Sequence, residues 1–172
     1  MTTKIITHAD CLQHLNVPGH PEQVARLQYV LAALAPLGLE SVNAPLITDD
    51  DLLRVHPQRH INAIRAAAPQ SGLISLDADT HMSPGTLTAA LRAAGGAIRA
   101  VDMVMTGEAH NVFVATRPPG HHCEHETAMG FCFFGNVALA AKHALDHHGL
   151  KRVAIVDFDV HHGNGTQDLV EG

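Results

Sequence analysis

Several features that mark particular protein classes are missing from this 172-residue sequence. No unbroken apolar run is long enough to span a bilayer, which excludes a transmembrane class. Lysine and arginine total 11 against 17 aspartates and glutamates, so the net charge is −6 and no basic run is present. The electrostatic footprint of a protein that binds nucleic acid directly is therefore absent. The pattern G-x-x-x-x-G-K-[ST] is also missing, which excludes a P-loop enzyme.

Cysteine is scarce, and its spacing argues against a disulfide framework. Cys11, Cys123 and Cys132 form an odd set with no C-x-x-C spacing. Such a set favours free thiols in a reducing compartment. Residues 1–12 carry one lysine and are interrupted by polar side chains, unlike a secretory or transit leader. We therefore expect a cytoplasmic protein.

The composition that is present is typical of a folded globular protein. Hydrophobic residues make up 46% and charged residues 16%, which is too apolar for disorder. At roughly 150 residues per domain, the length predicts about one domain that buries around two thirds of its unfolded surface. Because no repeat or low-complexity linker divides the sequence, residues 1–172 are interpreted as one unit.

The first hundred residues carry the spacing and the punctuation of helices. Apolar residues recur at every third or fourth position, prolines stand near the predicted starts and glycines near two of the predicted ends. The predicted elements are a strand over 4–7, a helix with Pro21 as its first residue that ends before Gly38, a short helix capped by Thr48 with Asp51, a helix opened by Pro57, and a long helix from Ser83 and Pro84 to Gly107.

The pattern then changes to strand, helix, strand. Apolar, β-branched runs over 111–116 and 152–156 predict two buried parallel strands, and an alanine-rich helix over 136–148 separates them. This order predicts a right-handed βαβ unit in an open α/β sheet. Because such sheets bind ligands beyond the carboxyl ends of their strands, the segments that start at Arg117 and Asp157 are the candidate site.

The segment after the second predicted strand brings two carboxylates and an imidazole together. In extended backbone Asp157, Asp159 and His161 would project to one face, and Phe158 and Val160 to the other. Carboxylates this close raise one another's pKa unless a cation compensates them, so a bound metal is the simplest reading. An exposed acidic turn is the alternative.

The segment after the first predicted strand reads Arg-Pro-Pro-Gly-His-His over 117–122. Two prolines restrict the backbone, which helps to hold a catalytic group in place. The adjacent His121 and His122 would suit a general base and a general acid, a contribution typically worth about 10² to 10⁴ in rate. Neighbouring histidines also occur in solvated loops. The pair is significant because it is expected to lie opposite the segment that carries Asp157, Asp159 and His161.

Histidine is the overrepresented residue, with 15 copies of which nine fall between His110 and His162. Its titration near neutral pH and its role as the commonest metal ligand raise the expectation of acid/base or metal chemistry. Six histidines in polar or helical stretches are instead expected on the solvated surface: His14, His56, His60, His143, His147 and His148.

Three motifs, over 117–122, 130–136 (G-F-C-F-F-G-N) and 157–167, resemble in order and spacing the zinc-dependent histone deacetylase and deacetylase-like amidohydrolase family. The tail over 163–167 and the opening Gly-His-Pro-Glu over 19–22 are similar to its class II and bacterial members, which include acetylpolyamine amidohydrolases and acetoin-utilisation proteins. The resemblance implies a three-layer αβα fold with a mostly parallel sheet, arginase/deacetylase-like and truncated. Residues 1–172 would be the N-terminal part of a single such domain.

The same resemblance implies roles for the residues of the two segments. Asp159 and His161 would be zinc ligands. His121 and His122 would be the catalytic pair, with His122 the general base and His121 an electrostatic partner backed by Asp157. Asp157 and the backbone near the zinc ligands also match the family's structural site for a monovalent cation such as K⁺. Where some members carry an aspartate, this chain has Asn164, a neutral partner for His122.

Three further residues match the family's substrate contacts. Phe131 would form one wall of the apolar tunnel for the acyl-lysine side chain, with Gly130 at its floor. Asp79 would be the rim carboxylate that holds the substrate's backbone. The sequence also allows a plainer reading, in which the phenylalanines over 131–134 belong to the core and Asp79 is an ordinary loop acid.

The implied reaction is hydrolysis of an acetylated lysine in a protein, or of a small acetylated amine, to acetate and free amine. The family's third zinc ligand and its oxyanion donor, a tyrosine or histidine, come from a later segment, and the only tyrosine here, Tyr29, lies in the first predicted helix. We therefore expect these 172 residues to be inactive alone, because loss of one oxyanion donor typically costs about 10² to 10³ in rate. Unpaired strand edges would also make the chain poorly soluble.

Two other classes remain open on the sequence. A non-catalytic protein of this fold would bind metal or acyl-lysine without releasing acetate, and the missing third ligand favours it. A dinuclear, manganese-dependent ureohydrolase of similar architecture would need further paired Asp/His motifs, and the tandem His121 and His122 argue against it. The sequence is compatible with an oligomer in any of these classes.

Overall fold

The computed structural model describes residues 1–171, in which helices alternate with the strands of a small parallel sheet. No helix within this range combines the length and the apolarity needed to cross a membrane. The elements are β1 (Thr3–Thr7), α1 (Val24–Leu34), β2 (Glu40–Asn43), α2 (Asp49–Leu52), α3 (Gln58–Ala67), β3 (Ile74–Ser75), β4 (His81–Met82), α4 (Thr86–Met105), β5 (Asn111–Val114), α5 (Asn136–Asp146) and α6 (Asn164–Val170).

The main sheet has the order β2-β1-β5, and both pairings are parallel. At its centre Ile5 lies opposite Ser41 on one side and Phe113 on the other. The strands β3 and β4 form a separate antiparallel pair. Parallel neighbours joined through helices confirm the predicted α/β class.

Helices cover both faces of the sheet. Successive residues of a strand point to opposite faces, and Ile5 and Ile6 are both buried. Ile5 packs with Leu27 of α1, whereas Ile6 packs with Met103 of α4. A third apolar cluster fills the space among α2, α3, α4 and α5, and its largest members are Leu52, Ile61, Met82, Phe133, Phe134 and Leu139. The layers are therefore helix, sheet and helix, as predicted.

The long helix α4 approaches the sheet closely through a pair of glycines. A Cβ atom on Gly95 would collide with the backbone carbonyl of Pro45, and one on Gly96 would lie 3.2 Å from the side chain of Ile6. Glycine lowers helix stability by about 1 kcal/mol relative to alanine, so its presence at mid-helix reflects this contact.

The predicted helix starts agree with the structure in part. Thr48 caps α2 as predicted, because its Oγ1 accepts the backbone N–H of Asp51 at 3.1 Å and donates to the Asp51 carboxylate at 2.7 Å. Pro57 occupies the N-cap of α3. Pro21, in contrast, is not the first residue of a helix: α1 starts at Val24. The preference of proline for the first position of a helix therefore did not determine where α1 starts.

The predicted strand over 152–156 is wrong. That segment pairs with no strand in the described chain, and apolar side chains in and just after it are largely in solvent: Val156 is 83%, Phe158 96% and Val160 93% exposed. A strand is held by hydrogen bonds to its neighbour, and among residues 1–171 no strand lies alongside this run. The predicted βαβ unit is therefore present only as β5 and α5.

The prediction of six solvated histidines is wrong for four of them. His14, His56, His60 and His143 are buried, whereas His147 is exposed and His148 partly exposed. An imidazole can be buried when its nitrogens find partners. The clearest case is His56, whose Nδ1 donates to the carbonyl of His125 at 3.1 Å and whose Nε2 accepts the N–H of Gly135 at 2.9 Å. Burial lowers the pKa of His56 to about 4, so it is neutral near pH 7.

Candidate functional site

A groove of about 880 Å³ runs along α4, β5 and α5 and ends among the predicted site residues. Its long walls are mostly aliphatic, with side chains such as Val101, Val114 and Ala140. Its polar end is lined by His121, His122, Gly130, Phe131, Asp159 and His161. An apolar groove with a few convergent polar groups at one end is the usual form of a small-molecule or side-chain binding site.

The segment after residue 156 folds into a hydrogen-bonded turn that brings Asp159 and His161 together. The N–H of Asp159 donates to Oδ1 of Asp157 at 3.1 Å, and the N–H of His161 donates to Oδ1 of Asp159 at 2.8 Å. The same Asp159 oxygen lies 3.1 Å from His161 Nδ1. These contacts, above all the backbone hydrogen bond, lower the pKa of Asp159, so it is a carboxylate at neutral pH.

Asp157 accepts the Asp159 N–H, but its other carboxylate oxygen pairs with His121 and does not join the side chains of Asp159 and His161. Its Oδ2 lies 2.9 Å from Nδ1 of His121, and it does not line the long groove. The hydrogen bond with His121, followed by that from the Asp159 N–H, lowers the pKa of Asp157. An ionised Asp157 accepts, so His121 donates through Nδ1. The rings of His121 and His122 lie 4.0 Å apart between centroids.

The neighbouring His122 is oriented by a chain of two polar side chains. Its Nδ1 lies 2.7 Å from Oδ1 of Asn164, and Nδ2 of Asn164 donates to the carboxylate of Glu124 at 2.8 Å. Glu124 accepts only, so the amide group of Asn164 must face it and the carbonyl oxygen must face His122. His122 therefore donates through Nδ1, and its Nε2 carries the lone pair that can take a proton.

The loop that carries Phe131 adopts a backbone conformation that non-glycine residues rarely use. Gly130 has φ 55° and Phe131 has φ 69°, a region that is sterically unfavourable for a bulky side chain. The conformation is held because the N–H of Phe131 donates to Thr80 Oγ1 at 3.1 Å and the ring of His20 packs edge-on against the phenyl ring at 4.6 Å. Phe131 consequently faces the groove and does not join the core cluster.

Gly130 itself leaves room for the His122 ring. A Cβ atom on Gly130 would lie 2.5 Å from Cδ2 of His122, a distance that forces either the ring or the loop to move. We therefore expect Gly130→Ala to disorder the His122 side chain while the fold survives. In a ¹H–¹⁵N spectrum that reports imidazole nitrogens, the His122 signals should shift or broaden.

The matched control is Gly107→Ala, because Gly107 also has a positive φ (77°) but has no atom within 4 Å of an added Cβ. Both variants carry the same backbone penalty, so only Gly130→Ala should move the His122 signals. Equal spectra from the two variants would contradict the contact.

Asp79 lies in an exposed loop near the groove but does not line it. Its carbonyl lies 2.9 Å from Nε2 of His20, its N–H donates to Asp77 Oδ1 at 3.0 Å, and its neighbour Thr80 bonds the Phe131 backbone. The loop is thus tied to the wall of the groove, and Asp79 is exposed, with Oδ1 of its carboxylate 3.4 Å from the hydroxyl of Thr80, which donates to it.

A buried ion pair holds the segment that carries the histidines against the N-terminal part of the chain. Arg117 is fully buried and binds both carboxylate oxygens of Glu22, at 2.7 and 2.6 Å, while it also donates to the carbonyls of Cys11 and His14 at 3.0 and 2.8 Å. Burial alone would raise the pKa of Glu22, but hydrogen bonds from His14 and Arg117 prevail and lower it to about 2. The backbone just before His121 is fixed by this pair.

The three cysteines are free, as predicted, and the structure shows that all three are buried. Burial raises the pKa of Cys132 to about 12 and that of Cys123 well above its usual value, so both are neutral thiols. Cys123 lies close to His56 and His60, but both His56 nitrogens are hydrogen-bonded and His60 Nε2 is 2.9 Å from the carbonyl of Phe133. This buried group is satisfied without a metal.

Three residues that shape the site had no assigned role in the sequence. Glu124 orients Asn164, Thr80 holds the backbone of Phe131, and His20 packs on its ring. The only available signal for Glu124 was its place two residues after His122. Thr80 and His20 lie 51 and 111 positions from Phe131, and no local pattern links them to it.

Comparisons with known proteins agree with this arrangement. The sequence model of the family described as "Histone deacetylase domain" matches residues 20–172. A "Histone deacetylase-like amidohydrolase" of Pseudomonas aeruginosa is 46% identical over 156 residues, which cover 91% of this chain and 40% of that protein. A "Polyamine deacetylase HDAC10" of Rattus norvegicus is 52% identical over 91 residues, 53% of this chain and 16% of that protein.

The solved structure of an "HDA15 HD domain" superposes with a TM-score of 0.91 at 36% identity, over 98% of this chain and 50% of that one. The chain thus spans half or less of each of these relatives. The parallel sheet, the groove that ends at the tandem histidines and the match over residues 20–172 lead to one conclusion: the chain belongs to the histone deacetylase domain family.

Proposed function

We propose that the chain is the N-terminal part of a zinc-dependent deacetylase domain that hydrolyses an acetylated amine to acetate and free amine. The observation that carries the proposal is the convergence of His121 and His122 with Asp159 and His161 at one end of an apolar groove. The groove supplies space for an acyl-bearing side chain, and its polar end supplies both proton carriers and metal ligands.

Asp159 and His161 suit a zinc ion in donor type and in spacing. Carboxylate and imidazole are both common zinc ligands, and two donors on one tetrahedral zinc lie about 3.3 Å apart. The observed separation of Asp159 Oδ1 and His161 Nδ1 is 3.1 Å. Among residues 1–171 no third ligating side chain joins them in a compact cluster, so we propose that the third ligand and the oxyanion donor come from the rest of the domain.

The histidines would carry the protons of the reaction. Zinc, when bound, would lower the pKa of a coordinated water towards about 7 and polarise the amide carbonyl. His122, with its Nε2 lone pair free, is assigned as the general base that takes a proton from the attacking water. His121, which is hydrogen-bonded to Asp157, is assigned as the electrostatic partner that stabilises the positive charge His122 gains when it takes the proton. One water is consumed: its hydroxyl goes to the acyl carbon and a proton goes to the departing amine nitrogen.

The remaining assignments concern substrate, second cation and location. Phe131 would contact the aliphatic part of the substrate, Gly130 would form the floor of the groove, and the carboxylate of the exposed Asp79 would hold the substrate's backbone or a second amine at the rim.

A monovalent cation near Asp157 stays a prediction. Three buried free thiols support a reducing, cytoplasmic location. The substrate class includes acetyl-lysine peptides and acetylated polyamines, the latter suggested by the name of one relative.

The test is acetate release from an acetyl-lysine peptide and from an acetylated polyamine, by the protein as made in its source cells and by the isolated 172-residue chain. We expect turnover by a protein larger than 18.3 kDa, loss of turnover with a zinc chelator, and recovery when zinc is restored. The isolated chain should release no acetate.

Asp159→Asn in the larger protein should abolish turnover, and Asp10→Asn, at a partly buried ion pair with Arg92 away from the groove, is the matched control that should not. Zinc binding without acetate release by the larger protein would instead support the non-catalytic alternative. Robust turnover by the isolated chain would contradict the proposed incompleteness.

A further inference from the structure

A second group of possible metal ligands lies where α4 and α5 end, away from the candidate deacetylase centre. The cluster, called here the helix-end cluster, consists of Asp102, His143, His147 and His148. The ligating atoms of these residues all lie within 4.8 Å of one another. His143 stands about 10 Å along α5 from Asn136, which is near the tandem histidines.

The geometry is centred on one carboxylate oxygen. Oδ1 of Asp102 lies 2.7 Å from Nε2 of His143 and 2.8 Å from Nε2 of His148. The ring of His147 stacks on that of His143, with centroids 4.8 Å apart and planes at 12°. Separations of about 3.3 Å between donors are needed around a tetrahedral zinc, so a small outward movement of two imidazoles would make room for an ion.

In the described chain the nitrogens of His143 and His148 that face Asp102 are hydrogen-bonded to it, but the second nitrogen of His143 is not bonded. His143 is 5% exposed, yet its Nδ1 has no hydrogen-bond partner among the described residues. Three imidazoles crowd around this one carboxylate, and a divalent cation binds imidazoles in their neutral form. The buried group around His56 differs, because its imidazole nitrogens are already used by backbone groups.

The position favours a cation for a second reason. His143 lies in the last turn of α5 and His147 is its C-cap, while Asp102 lies in the last turn of α4. The C-terminal end of a helix carries partial negative charge from its unpaired carbonyls. Two helix C-termini meet here, and a bound cation would be stabilised by both.

We propose that the helix-end cluster is a second metal site that binds a divalent cation such as Zn²⁺ and braces the ends of α4 and α5. Three imidazoles and one carboxylate are a ligand set for zinc-like ions and not for calcium or magnesium, which prefer oxygen. Val101 and Ala144, which neighbour the cluster in sequence, line the long groove. A metal here would therefore hold the two walls of the groove in register.

The test separates this site from the proposed catalytic one. In the larger protein, which would carry the third catalytic ligand, Asp159→Asn with His161→Ala removes two of the proposed catalytic ligands, and Zn²⁺ is titrated into this double variant by calorimetry. We expect one Zn²⁺ per chain and a higher melting temperature with Zn²⁺. Adding His147→Ala should lower the affinity for Zn²⁺ at least about tenfold. Loss of a residue that only hydrogen-bonds to a metal ligand already costs about that much, and loss of a ligand should cost no less. His147 is exposed and makes no hydrogen bond to Asp102, so this change spares the fold.

The matched control is His125→Ala, which removes another exposed histidine outside the cluster and should change neither affinity nor melting temperature. A double variant that binds no Zn²⁺, or an affinity that falls less than about tenfold with His147→Ala, would overturn the proposal. A failure of the proposed deacetylase centre gives a different result, namely equal zinc stoichiometry in the unmodified larger protein and in the Asp159→Asn, His161→Ala variant.

Discussion

Glu22→Gln should lower the free energy of unfolding by about 3–5 kcal/mol, the usual cost of removing one partner of a buried ion pair. The change leaves the guanidinium of Arg117 fully buried with no countercharge, although its two backbone carbonyl partners remain. The measurement is urea unfolding followed by circular dichroism, with the midpoint falling and the m-value unchanged.

The matched control is Glu40→Gln, because Glu40 forms an exposed ion pair with Lys4. An exposed pair contributes at most about 1 kcal/mol. If the two variants lost equal stability, the buried pair would not have the structural role assigned to it.

The same carboxylate predicts how stability depends on pH. The pKa of Glu22 is lowered from 4.5 to about 2 in the folded chain. Its contribution, about 3 kcal/mol for such a shift, is present above pH 4.5 and is lost as pH falls towards 2. Acid unfolding between these values should therefore be shallower in Glu22→Gln, which lacks the titrating group.

His122→Ala in the larger protein should lower kcat by about 10² to 10⁴, the contribution typical of a general base. KM should change little, because His122 is assigned to proton transfer and Phe131 to substrate contact. Acetate release under saturating acetyl-lysine peptide measures the effect. His125→Ala, three positions away in an exposed part of the same loop, should leave kcat unchanged.

If His122→Ala kept a tenth or more of the wild-type kcat, His122 would not be the general base. His121→Ala, tested in parallel, then distinguishes which of the two histidines takes the proton. Both rings line the same groove, but His122 is hydrogen-bonded to Asn164 and His121 to Asp157. We would therefore attribute a difference in kcat between the two alanine variants to these hydrogen-bond partners.

Elements with strong local signals were predictable from the sequence. The first strand, the long helix α4 and the helix α5 were predicted within a few residues, and so was the helix cap at Thr48, whose Oγ1 accepts the Asp51 N–H. Each depends on a pattern of spacing or on a side chain that bonds its own neighbours. The candidate site was predictable as a set of motifs, because the residues that carry it lie in two short stretches of chain.

What could not be predicted depends on partners distant in sequence. The run over 152–156 has the composition of a buried strand, but a strand also needs a neighbour, and composition does not provide one. The buried histidines were unpredictable for a related reason, since His56 is satisfied by backbone groups 69 and 79 positions away. Glu22 and Arg117 are 95 positions apart, and no local pattern in the sequence indicates that they pair.

That distance between Glu22 and Arg117 determines when the site can form during folding. Contacts that close long stretches of chain cost more entropy and form more slowly than local ones. The backbone hydrogen bonds of α4 and α5 are local, but the loop with the tandem histidines is fixed only once Arg117 has bound Glu22 and the carbonyls of Cys11 and His14. We therefore expect the histidine loop to reach its folded conformation late, after the N-terminal part of the chain has packed against it.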